Sequence, residues 1–119
     1  MNNITVIGNV GRDPELRIAP SGTQVAKFSV ADTVGKDDDK KTTWHDIVVF
    51  GDQAENVCES VKKGSRVVVI GRLTKDSYDG KDGEKKTKVE VIASDVAISL
   101  RWGTSSSVQR SAAPPEEPF

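Results

Sequence analysis

Residues 42–70 read TTWHDIVVFGDQAENVCESVKKGSRVVVI, and this stretch decides the fold. Its first nine residues have strand composition and end in the apolar run Ile47-Val48-Val49-Phe50. The period then changes. Ala54, Val57, Cys58 and Val61 fall at i, i+3, i+4 and i+7, one apolar stripe on a helix. Asp52 is placed to cap that helix, with Glu55 three residues on as the capping-box partner. Lys62 and Lys63 sit where cations suit the last turn, and Gly64 suits a left-handed C-terminal position. A second strand, 66–74, follows with Val67-Val68-Val69-Ile70 at its centre.

Outward from this unit, the rest of the patterned chain reads as strand. Upstream, Ile4-Thr5-Val6-Ile7-Gly8-Asn9-Val10 is β-branched, with an internal glycine that suggests a bend or bulge. A turn is expected at Gly11-Arg12-Asp13-Pro14, and residues 15–18 continue the strand to a second turn at Pro20-Ser21-Gly22. Residues 24–33 alternate Val25, Lys27 and Ser29 with Ala26, Phe28 and Val30, the period of a half-buried strand. Downstream, residues 87–94 alternate again, and 96–102 offer a last short apolar segment that could add a strand. Between the strands at 66–74 and 87–94 a charged loop is expected, with turn signals at Asp79-Gly80 and Asp82-Gly83. The order is three strands, one helix, two strands. One helix among many short strands argues for a closed barrel rather than a parallel α/β sheet. The expected class is all-β: an OB-fold, a five-stranded Greek-key barrel with one helix between strands 3 and 4.

The 119 residues suffice for one compact domain, placed at 1–103. Residues 104–119 are rich in Ser, Ala and Pro and are expected to be a disordered tail. No apolar run approaches the length of a membrane span, so no membrane partner is expected. Met1-Asn2-Asn3-Ile4 does not resemble a secretory signal, and the single Cys58 has no internal disulfide partner. A cytoplasmic location fits both. The net charge of −1 lacks the basic excess usual for nucleic-acid binding. Residues 1–103 carry 16 basic and 16 acidic side chains, and the acidic surplus lies at the C-terminal tip.

The few aromatics are therefore informative. Trp44 lies between Thr43 and His45, a polar setting unlike a core, although strand tryptophans are more often core than platform. Phe28 reads as core. Phe50 suits either role, and Tyr78, among Asp, Lys and Gly, suits a contact role. A ring on a groove can stack any base, worth about 1–3 kcal/mol per base, while neighbouring cations neutralise phosphates. The candidate cations are Arg12, Lys36, Lys41, Lys63, Arg72, Lys75 and Lys85, against a bland alternative of a solvated charged surface. Lys86 and Lys88 belong to the same charged loop. Nothing points to an enzyme, a metal or a cofactor: Cys58 belongs to the helix's buried stripe, and Asp37-Asp38-Asp39 lacks the glycine and terminal glutamate of a calcium loop. The final Glu116, Glu117, Pro118 and Phe119 form an acidic, aromatic-tipped docking ligand.

Several stretches together resemble the bacterial single-stranded DNA-binding protein family. They are residues 6–15, Thr43-Trp44-His45 through Val49-Phe50-Gly51, Lys63-Gly64-Ser65, Gly71-Arg72-Leu73 and the Pro118-Phe119 end. Ser99-Leu100-Arg101-Trp102 resembles the actinobacterial branch, and the short tail resembles a paralogue or phage version. The resemblance implies an OB-fold homotetramer that wraps single-stranded DNA without sequence preference, associated with the nucleoid. It implies stacking on Trp44, Phe50 and Tyr78, a part for His45 in the oligomer interface, and docking of replication, recombination and repair proteins on the tip. Two departures stand out. The family often carries another tryptophan near residues 34–36, absent here, and an arginine after the Trp-His pair, where this chain has Asp46.

Overall fold

A computed structural model describes residues 1–103. Their elements are β1 (Ile4–Val10), β2 (Glu15–Ile18), β3 (Gln24–Val34), β4 (Lys41–Phe50), α1 (Asp52–Ser60), β5 (Arg66–Asp79) and β6 (Lys85–Ile98). A single 3₁₀ turn, Asp37–Asp39, lies between β3 and β4.

The strand order is β1-β5-β6-β4-β3-β2, and β1 also pairs with β3, so the sheet closes on itself. β1 and β2 use different parts of β3: Asn9 and Val10 face Ala31 and Val30, while Glu15 and Ile18 face Lys27 and Gln24. They are two halves of one strand broken at the turn expected at residues 11–14. Counted so, the barrel has five strands with the helix after the third. This is the expected OB-fold. The pairs are antiparallel except β4 with β6, where Ile47 and Val48 lie in parallel register with Val91 and Ile92.

The period-2 pattern is what fills the barrel. Val6 and Val10, Ala26, Phe28 and Val30, Ile47 and Val49, Val67 and Val69, and Val91 point inward and are buried. Each such side chain contributes about 1.5–3 kcal/mol on leaving water. The helix adds Ala54 and Val57 to the same core, and Val61 just past its end joins them, with Cys58 packed half-buried beside them. Burial pushes the Cys58 thiol up, against a smaller opposite pull from Lys62. The glycine inside β1 is a close-approach residue. A Cβ on Gly8 would stand 2.1 Å from the Ala31 carbonyl oxygen, so only glycine lets β1 cross β3 there.

Three expectations need correction. Asp52 does not cap the helix: Gly51 is the N-cap and no side chain bonds to the exposed amides, because the chain turns directly from β4 into α1. Asp52 is the first helical residue, where its charge still suits the helix dipole. Gly64 is not the helix's left-handed cap. The helix ends at an extended Val61, and Gly64 (φ 88°) sits in the tight turn closed by the Ser65 amide donating to the Lys62 carbonyl. The Lys62 ammonium does reach back, donating to the Cys58 carbonyl at 2.8 Å. Finally, no separate strand forms at 96–102. Residues up to Ile98 belong to a long β6, and Trp102 lies outside it.

The largest difference lies in the expected charged loop. It is a hairpin: β5 and β6 pair without a break from Gly71 and Ala93 out to Asp79 and Lys85. Tyr78 is therefore a strand residue. Below, a bulge interrupts the pairing between Ile70 and Gly71. The bulge is clamped by Gln53 of α1, whose amide donates to the Ser94 carbonyl (3.3 Å) and accepts from the Val96 amide (2.9 Å).

Candidate nucleic-acid interface

In a sheet, residues directly paired across strands point to the same side. The register therefore fixes what shares the barrel's outer surface. On β3 and β4, Ala31 pairs with Trp44, Ser29 with Asp46, Lys27 with Val48 and Val25 with Phe50. β2 extends this face with Glu15 and Arg17, opposite Lys27 and Val25. Through Val48 and Ile92 it continues onto β6 and β5. There Ile92 faces Arg72, Lys88 faces Asp76 and Lys86 faces Tyr78. Trp44, Phe50 and Tyr78 thus stand on one continuous face. They are 59%, 50% and 50% exposed, which is high for large rings that could have filled a core.

Three depressions link up along this face. One of about 250 Å³ lies against Trp44 and is lined by Gly11, Arg12 and Ser29. Arg12 and Ser29 also line the next, about 290 Å³, together with Lys27, Asp46 and Lys88. Asp46 and Lys88 in turn line the third, about 680 Å³, which reaches Tyr78. The result is an open, polar groove with an aromatic ring at each end. Gly11 seats the Trp44 ring: a Cβ there would come within 2.6 Å of the indole. The Ser29 hydroxyl donates to Asp46 Oδ1 at 3.5 Å, and Lys88 pairs with Glu90 at 3.5 Å.

The structure sorts the sequence candidates. Arg12 lines the groove, and Arg72 lies on the aromatic face. Lys75 and Lys85 alternate with Tyr78 and Lys86 and so occupy the hairpin's other side. Lys41 starts β4 opposite Val34, three residues before Trp44 and so in the opposite phase to the Trp44 set, and Lys36 lies in the loop before the 3₁₀ turn. Lys63 is in the turn after α1, its amide donating to Asp13 Oδ1 at 2.8 Å. Sequence reasoning missed Lys27 as a candidate, although its alternation with Phe28 marked it as outward. Lys86 and Lys88, not Lys75 and Lys85, share the face with Tyr78. His45 points to the inner side of β4 beyond the core, with Nε2 3.6 Å from the Asp32 carboxylate. Glu116, Glu117, Pro118 and Phe119 lie outside the described residues.

A second exposed surface lies across the barrel. On β1 and β5, Ile7 pairs with Val68 and Thr5 with Ile70. Ile7 and Ile70 are each 45% exposed, an apolar strip on an outer sheet face. Among the described residues, no cluster of His, Cys, Asp or Glu could hold a metal ion, and no helix is long and apolar enough to cross a membrane.

Comparison with known proteins agrees with this architecture. The model of the Single-strand binding protein family matches residues 1–99. A single-stranded DNA-binding protein of Paenarthrobacter aurescens is 45% identical over 106 residues, covering 83% of this chain and 62% of that protein. One from Mycolicibacterium smegmatis is 44% identical over 108 residues, covering 85% and 66%. Single-stranded DNA-binding protein 2 of Streptomyces coelicolor is 44% identical over 108 residues, covering 85% and 54%. The chain spans less than two thirds of the length of each of these relatives.

Proposed function

The chain belongs to the Single-strand binding protein family, and from that premise we propose that it binds single-stranded DNA without catalysing a reaction. The observation that carries the reading is the placement of Trp44, Phe50 and Tyr78, half-exposed on one face of a closed barrel. Every base has a π-face, so rings in this position grip unpaired DNA of any sequence, at about 1–3 kcal/mol per stacked base. Arg12, Lys27, Arg72, Lys86 and Lys88 lie along the same face or groove and neutralise phosphates. Duplex DNA hides its base faces, which gives the preference for single strands.

The apolar strip of Ile7, Val68 and Ile70 supports assembly into a homo-oligomer, expected to be a tetramer, in which several grooves act on one strand. His45, beside Asp32, is proposed to contribute to that assembly. In this reading the protein protects DNA during replication, recombination and repair, in the cytoplasm at the nucleoid. The Glu116-Glu117-Pro118-Phe119 tip recruits partner proteins.

The test is titration of the full chain with oligo-dT, following tryptophan fluorescence at several salt concentrations. Strong quenching is expected, with log affinity falling by roughly 0.7 per log unit of salt for each phosphate contacted. Trp44→Ala should weaken binding by about 1–3 kcal/mol. Feeble binding that Trp44→Ala leaves unchanged, with a protein co-purifying instead, would favour a protein-interaction barrel, a role its balanced charge also suits.

A further inference from the structure

A carboxylate stands where a phosphate-binding groove would be expected to carry a cation. Asp46 lies on the outer face of β4, one residue pair along from Trp44, and lines both depressions between the Trp44 and Tyr78 ends. It makes no ion pair among the described residues: Arg17, His45 and Lys88 take Glu15, Asp32 and Glu90. Its one side-chain bond among the described residues, from the Ser29 hydroxyl, engages Oδ1 alone and is long. An ionised carboxylate only accepts hydrogen bonds, so this groove-lining side chain keeps unused acceptor capacity.

Two consequences follow for a strand in this groove. Asp46 repels the backbone phosphates, so the bases rather than the phosphates are turned to the groove floor at this point. A base there meets an acceptor. Cytosine presents an N4 amino donor on its exposed edge, whereas thymine presents the O4 acceptor at the same position. We propose that Asp46 is a specificity-determining residue that makes this groove favour bases with an exocyclic amino group, cytosine among them, over thymine. The stacking rings remain indifferent to sequence, and the preference is superimposed on them at one position per subunit.

This inference rests on the single-strand reading above, and its test separates the two. The full chain and Asp46→Asn are titrated with oligo-dC and oligo-dT of equal length at mildly alkaline pH. Losing the negative charge raises affinity for both polymers alike, so the charge cancels in the ratio of the two affinities. The asparagine amide, in contrast, can donate to thymine O4. The ratio of dC to dT affinity should therefore fall by about fivefold in Asp46→Asn. Asp46 is exposed, so the fold should survive, and unchanged thermal unfolding confirms it. Affinities that rise together with a constant ratio overturn the proposal, leaving Asp46 a mere repeller of phosphate. Trp44→Ala serves as the contrasting variant: it should lower both affinities and leave the ratio as in the parent chain. If the parent chain binds neither polymer, the single-strand reading fails and takes this inference with it.

Discussion

The barrel and the hairpin that grows out of it are made of the same two strands, yet they are held by different forces. Up to Val91, which lies opposite Leu73, β5 and β6 carry Val67, Val69 and Val91 into a sealed apolar interior. Above it, the chain from Leu73 to Asp79 and back from Lys85 to Val89 buries almost nothing. There the ladder of backbone hydrogen bonds does the holding. Opposite charges stand in register along it, Asp76 opposite Lys88 and Asp79 opposite Lys85, while the Lys88 ammonium itself pairs with Glu90. The difference shows how one sheet divides labour: its buried half fixes the shape, and its exposed half carries Tyr78, Lys86 and Lys88 out beside the groove.

Three changes would break or sharpen this contrast. Phe28→Ala strikes the sealed half. Among the described residues Phe28 is the only aromatic in the core, and its truncation should cost about 3–5 kcal/mol of stability, read from urea unfolding. A loss under about 1 kcal/mol would mean that the barrel interior is not what holds the fold. Tyr78→Ala strikes the exposed half. It should leave unfolding within about 0.5 kcal/mol of the parent while weakening oligo-dT binding by about 1–3 kcal/mol. Equal damage to both properties would erase the distinction. The smallest effect belongs to Cys58, on the helix that backs the core. Burial holds its thiol above the usual range, so at mildly alkaline pH it carries less thiolate than a free cysteine. Alkylation of the folded chain should be slower than that of the urea-unfolded chain, and the gap should narrow as pH rises and the thiol ionises in both.

The buried half was also the legible half. Alternation in residues 24–33 and the i, i+3, i+4 spacing of Ala54, Val57 and Cys58 report which side of an element leaves water, so strands, helix and closed barrel could be read from them. The hairpin could not. Residues 75–86 bury no side chain, so hydropathy has nothing to register, and the Asp79-Gly80 and Asp82-Gly83 signals suggested loop throughout where they mark only the turn. For the same reason Trp44, Phe50 and Tyr78 were found by their polar neighbours and by family resemblance, while their shared face emerged only from the register. The cations were harder still. Choosing Lys75 and Lys85 over Lys86 and Lys88 is a one-residue matter of phase, and phase in a strand is set by pairing partners that a sequence does not display. Asp46 was visible as a departure from the family pattern; its place on the groove floor was not.

The glycine beneath Trp44 has a bearing on affinity that its small size conceals. A tryptophan free to swing in solvent must give up its rotamers when a nucleotide arrives, a loss of roughly 0.5–1.5 kcal/mol for an immobilised side chain. With the indole already laid against Gly11, much of that disorder is surrendered when the protein folds, before any ligand is met. The ring then acts as a shelf set at a fixed angle, and a methyl group at position 11 would tilt it without touching the DNA.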